Sequence, residues 1–202
     1  MNAKFYIDET AKIKAKLRFL QGCIRLDEND YIDHEFPDTL YIGPYSLIGE
    51  GVRLGNGVII DAYCNIDSNV TIGNNTLVTY RASIGSDSII GEDCVIGGFV
   101  PENCHIGNRC RIFGNLVHSH SDTTMSWDHH EIPEESVRIH DDSFVGFSAI
   151  VAGGFDIGPK AYVCAGAIVT RSVPPLHIAS GNNKIVHYSK WKGNLKNNPI
   201  FK

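Results

Sequence analysis

Between residues 118 and 131 the chain gathers side chains that can do chemistry: His118, His120, Asp122, Trp127, His129, His130 and Glu131. Imidazole titrates near neutral pH, so either His118 or His120 can take up and release a proton under ordinary conditions. Asp122 can orient either ring, although an exposed loop aspartate reads equally well. Trp127 can stack on a sugar or a nucleobase, or it can pin the segment against a neighbouring subunit. His129, His130 and Glu131 read as solvated. The plainer alternatives are that His118 is a hydrogen-bonded histidine closing a strand and His120 a solvated loop residue. A segment this long without a pattern of its own is uncommon in a compact domain unless it is functional.

The elements that must hold this stretch follow from a period of six. From Ile42 to Ile96 every sixth residue is aliphatic: Ile42, Ile48, Leu54, Ile60, Ile66, Ile72, Val78, Ile84, Ile90, Ile96. A tight-turning residue follows most of them, such as Gly43, Gly49, Asp61 or Gly73, and the fourth residue on is small or thin, such as Ser46, Val52, Cys64 or Thr76. Neither a helix nor a simple alternating strand has this period. Hexapeptide repeats mark a parallel β-helix, in which each hexad is one short strand and a sharp turn and three hexads close a triangular coil. The turn residue is expected to adopt backbone angles that other residues resist. Each buried Ile or Val contributes roughly 1.5–3 kcal/mol, so the column supplies a sizeable core.

The rest of the chain reads around this array. Ile7, Ile13 and Phe19, with Ala11, Leu17 and Cys23 at the small position, form a rougher first coil, and Asp27 to Asp38 an external loop or edge piece broken at Pro37. Gly97 to Cys104 reads as four extra residues that bulge outward. Ile106 and Ile112 resume the period, with Cys110 and Leu116 as small partners, and the next site in register is His118. The array returns at Ile139, Val145, Val151, Ile157, Val163 and Val169, with Phe155 a bulky exception at a small position. Pro174 and Pro175 read as its end. The expected organisation is therefore all-β: a β-helix over residues 1–175, a loop insertion at 118–137, and a tail over 176–202 that carries one short helix or turn around Val186 to Lys192 and covers the last coil.

Composition narrows the function. With 20% charged residues and a net charge of −5 there is no basic footprint for nucleic acid. No apolar run of membrane-spanning length occurs, and Met1 to Thr10 has no basic-then-apolar leader. The six cysteines include Cys64, Cys94 and Cys110 at inward positions, which read as reduced core fillers of a cytoplasmic protein.

The hexad register, together with the run from Val163 to Pro175 (Val-Cys-Ala-Gly-Ala-Ile-Val-Thr-Arg-Ser-Val-Pro-Pro), resembles the hexapeptide-repeat acyltransferases, nearest to those acting on sugars and xenobiotics. The resemblance implies a left-handed β-helix and a cytoplasmic homotrimer with sites in clefts between prisms. It implies a loop histidine, His120 or His118, as general base for attack on the thioester of acetyl-coenzyme A or another acyl-coenzyme A. Asn115, Asp122 and Trp127 are then candidates to bind the acceptor. For the donor it points to Phe147, where the family often has a small polar residue, to Ala165 and Gly166 beside the pantetheine arm, and to Thr170, Arg171 and Lys184 towards the nucleotide end. The family's Gly-Asn-Pro-Ala run is here Gly181, Asn182, Asn183, Lys184, a departure that bears on the tail's contacts. The acceptor implied is the amino group of a nucleotide-linked amino sugar, with an O-acetyltransferase of an antibiotic or polysaccharide as the alternative. No metal is expected. A γ-carbonic-anhydrase-like zinc protein needs a histidine pair five apart that this stretch lacks, and a non-catalytic trimeric scaffold remains the reading from another class.

Overall fold

The computed structural model describes residues 5–7, 12–13, 18–19, 40–118 and 136–202. The first coil lies in register with the array, since Ile7 pairs with Ile42, Ile13 with Ile48 and Phe19 with Leu54. Ala11, Leu17, Cys23 and the segment from Asp27 to Asp38 lie outside the described residues.

Each hexad contributes a strand of two or three residues whose last or middle residue is the inward aliphatic. In Asn65–Ile66, Thr71–Ile72 and Ser83–Ile84 the aliphatic is buried and its neighbour is not. The strands stack into three parallel sheets, the faces of a prism. Face A runs from Phe5–Ile7 and Leu40–Ile42 to His177–Ser180, face B from Lys12–Ile13 to Ile168–Val169, and face C from Arg18–Phe19 to Asp156–Ile157. The chain visits A, B and C in turn and forms the parallel β-helix that the period implied, with the left-handed winding that the resemblance implied. The aliphatic column and its small partners, including Cys64, Cys94, Cys104 and Cys110, are buried together in one core. These thiols and that of Cys164 are free, as expected.

The turns have a different physical basis from the one expected. The left-handed residue is the third of the corner, for example Tyr63 (φ 60°), Asn75 (φ 56°) and Arg109 (φ 56°). The glycine directly after the aliphatic serves close approach instead: a Cβ on Gly43 would stand 2.8 Å from Ala62 N in the next coil.

Three expectations are corrected. Gly97 to Cys104 is not an outward bulge; Phe99–Val100 is a strand of face B, and Val100 pairs with Ile84. That corner is two residues short rather than four long. The same cut recurs one coil on, where Leu116 sits in the strand Asn115–Val117 and packs as a core residue, not as a corner filler. The two short corners stack so closely that a Cβ on Gly98 would collide with the Gly114 carbonyl. The prolines at 174 and 175 do not end the coils either. Val173 bridges to Ile157, and His177–Ser180 adds to face A beside Tyr162–Val163. Lys184–His187 then turns back antiparallel and closes the sheet. The short helix or turn expected around Val186 to Lys192 is a 3-10 turn over Tyr188–Lys190, while Val186 belongs to the last strand. Phe155 is accommodated by leaving the core, in which it takes no part. Among the described residues no helix is long and apolar enough to cross a membrane.

Candidate active site

His118 follows the strand Asn115–Val117 at the corner between faces B and C, directly before residues 119–135, the excursion from the six-residue period, which lie outside the described residues. Its side chain is 11% exposed. Nε2 lies 3.0 Å from the carbonyl oxygen of Glu102, one coil earlier, and 3.0 Å from Ser136 Oγ, where the excursion rejoins. Ser136 Oγ–H donates to the same carbonyl at 2.8 Å. A carbonyl only accepts, so Nε2 carries the proton in this arrangement. Nδ1 is 3.8 Å from the Glu102 carboxylate. Both roots of the excursion are thus tied to one turn of the coil above, and His118 is part of the tie. His120, Asp122, Trp127, His129, His130 and Glu131 lie outside the described residues.

The donor residues divide between two corners. Phe147, Ala165 and Gly166 share the corner between faces A and B, and Gly166 N–H donates to the Phe147 carbonyl at 2.9 Å. Among the described residues, neither the Phe147 nor the Ala165 N–H donates a hydrogen bond, so two donors one coil apart are open at this edge. Phe147 is 63% exposed, and its ring stacks on Phe113 at 4.5 Å. Cys164 beside them is no ready nucleophile, because burial raises its pKa. Thr170 and Arg171 stand at the corner between B and C, below His118. Thr170 N–H donates to Asn183 Oδ1, and Arg171 donates to the Asn183 carbonyl at 2.7 Å. Asn183, which departs from the family's run, therefore fastens the tail turn to the last corner. Lys184 is exposed on the closing strand.

Asn115 faces outward on B between Phe99 and Ile150. The width of face B, four residues from Gly114 to His118, separates the open N–H groups from the imidazole by about 13 Å at ordinary strand rise. Within one prism His118 and the Phe147–Ala165 edge do not meet.

The sequence reading missed Glu102 and Ser136, which hold His118. It also missed a charge ladder on the corner between C and A. There Asp93, Arg109, Asp142 and Lys160 occupy the same left-handed corner position in successive coils. Arg109 Nε reaches Asp142 Oδ1 at 2.7 Å and Nη2 reaches Oδ2 at 3.0 Å. The guanidinium holds the Asp142 carboxyl below the usual range. Alternating charge at these positions was the available signal. Among the described residues no cluster of His, Cys, Asp and Glu can hold a metal ion.

Residues 136–171 match the family model described as the hexapeptide repeat of succinyl-transferase. No curated protein matches the sequence. Solved structures resembling the chain include the serine acetyltransferase of Neisseria gonorrhoeae, at 22% identity, 64% of this chain, 40% of that chain and a TM-score of 0.38. The GDP-perosamine N-acetyl transferase of Caulobacter crescentus shares 20% identity over 94% of this chain and 57% of its own, with a TM-score of 0.37. AntD, an N-acyltransferase from Bacillus cereus, shares 17% over 73% and 81%, with a TM-score of 0.34. The chain spans less than half the length of the serine acetyltransferase it resembles.

Proposed function

We propose that this protein is an acyl-coenzyme A-dependent acyltransferase that moves an acyl group, acetyl in the first instance, onto the amino group of a nucleotide-linked amino sugar. The observation that carries the reading is the corner of Phe147 and Ala165. It lies inside the segment that matches the succinyl-transferase repeat and presents two open N–H groups one coil apart. Such donors suit the amides of a pantetheine arm and the oxyanion of a tetrahedral intermediate. Ala165 and Gly166 keep that edge thin, and Thr170, Arg171 and Lys184 supply polar and cationic groups towards the nucleotide end.

The base is His120 in this reading, and His118 fixes the root of the segment that carries it. The acceptor nitrogen attacks the thioester carbon. His120 takes the proton that the nitrogen sheds, and the oxyanion collapses to expel the coenzyme A thiolate, which the imidazolium can protonate. Asp122 orients the ring, and Trp127 and Asn115 contact the acceptor. Because a neutral amine already carries its lone pair, the base matters less for an amine than for an alcohol. The chain works as a cytoplasmic homotrimer in which a neighbouring prism closes the cleft over face B. A thiol-release assay with acetyl-coenzyme A and a panel of dTDP-, UDP- and GDP-linked amino sugars tests the reading. Thiol release with an amine but not with the matching alcohol supports it. Release only with alcohols favours O-acetyl transfer, and no release together with no coenzyme A binding favours the scaffold.

A further inference from the structure

Away from the donor edge, the corner between faces C and A and the C-terminal tail border an open-mouthed cavity of about 410 Å³. Its cations are Arg109, Arg111 and Lys160; its one carboxylate is Asp142. The chelated pair of Arg109 and Asp142 largely cancels, and Asp93 and Asp141 act on Arg109 without lining the cavity. Arg111 is different. Its Nη1 donates to the backbone carbonyls of Asp93 and Cys110, which fix the guanidinium in place without neutralising it. The Lys160 ammonium has neither an ion pair nor a hydrogen bond among the described residues. Lys160 acts on Asp142 without forming an ion pair, so the lining carries three cations against one carboxylate, a surplus of two positive charges.

The other walls are apolar and pinned. Phe144 and Tyr162 stack at 4.4 Å on the outside of face A. Opposite them stands the tail at Asn198, Pro199 and Ile200. The tail is anchored by Phe201, which is 7% exposed and stacks on Tyr188 at 4.9 Å. The Asn198 side chain caps the final turn by accepting from Ile200 N–H at 3.1 Å. The cavity is thus formed before any ligand arrives, which lowers the ordering cost of binding.

We propose that this cavity binds a small phosphate monoester, with the dianion between Lys160 and Arg111 and the organic part against Phe144 and Tyr162. A phosphate monoester carries close to two negative charges near neutral pH and matches the surplus. A planar guanidinium held by backbone carbonyls suits its oxygens. An apolar, half-aromatic wall distinguishes an ester from the free ion.

The test is calorimetric titration of the full chain with phenyl phosphate, with and without saturating coenzyme A. Inorganic phosphate and phenol serve as comparison probes. One phenyl phosphate per chain is expected, unaffected by coenzyme A, bound more tightly than either comparison probe and weakened by added salt. Lys160→Gln and Arg111→Gln should each weaken it at least tenfold, with melting temperatures close to wild type for the half-buried, unpaired Lys160→Gln. Arg171→Gln should leave it unchanged. Absence of saturable binding, equal binding of phenol, indifference to Lys160→Gln, or displacement by coenzyme A would each overturn the proposal. Coenzyme A binding read in the same titrations bears separately on the acyltransferase reading.

Discussion

His118 and His120 sit two residues apart, yet the fold makes different demands on them. His118 Nε2 is engaged by the Glu102 carbonyl and Ser136. Replacing it should loosen both roots of the excursion. We expect His118→Ala to lower stability by about 0.5–1.5 kcal/mol, the net worth of a lost hydrogen bond, read by urea denaturation. His120→Asn should leave stability and donor KM nearly unchanged and lower turnover. The full loss of roughly 100- to 10,000-fold is expected for an alcohol acceptor and a smaller one for an amine. A drop in donor affinity alone would speak against the base role. Arg109 and Asp142 give a pH signature. The Asp142 carboxyl is held below its ordinary value of about 3.9, chiefly by its hydrogen bonds to Arg109. Its contribution to stability is therefore present above that value and lost as pH falls through the lowered folded value. Arg109→Gln should flatten the fall in melting temperature below about pH 4, and an unchanged slope would refute the assignment. Core thiols give a third readout. Burial pushes Cys64 up to about 11 and Cys104 up to about 12, so both should resist alkylation at pH 8 until the protein unfolds.

At the scale of the coil, the strands were legible because each hexad repeats one local decision, an inward aliphatic followed by a tight corner. From Leu40 to Ile96 the expected register and the observed pairing agree, as in Ile42 with Ile60 and Ile66 with Ile84. The short corners were not legible in the same way. A period reports spacing along the chain, whereas Val100 and Leu116 enter the core because Gly98 and Gly114 let two coils approach within the width of a missing Cβ. Counting from Ile96 to Ile106 shows a departure from twelve residues, but only the pairing of Ile84 with Val100 says that the corner was cut and not extended. Gly98→Ala should therefore destabilise the protein by about 1–3 kcal/mol, as overpacking does, measured by chemical denaturation. A stabilising or silent result would mean that the two coils are farther apart than described. The clasp on His118 was hidden for a related reason. Glu102 is brought above it by stacking of coils, and nothing in the local sequence of either residue announces the other.

The rod offers two open N–H groups at Phe147 and Ala165, an imidazole across the width of face B, and exposed apolar residues on all three faces, such as Ile59, Phe99 and Ile89, and on the corner between A and B, such as Tyr63. Exposed apolar residues of this kind favour association. Light scattering should give about three times the chain mass of 22.2 kDa. The candidate site was legible as a set of residue types, such as Ala165, Gly166 and Thr170, because the family's last coil preserves a recognisable run. It was not legible as a geometry, because the stacking of coils, and not the local sequence, decides which corner each residue shares. The most direct measurement is a crystal structure of the full chain with coenzyme A bound. The account predicts the pantetheine along Ala165 and Gly166, its thiol beside the Phe147 N–H, and His120 from the same or a neighbouring prism within hydrogen-bonding reach of the space in front of that thiol. Coenzyme A bound elsewhere, or both His118 and His120 turned away from any crevice that admits the thiol, would contradict it.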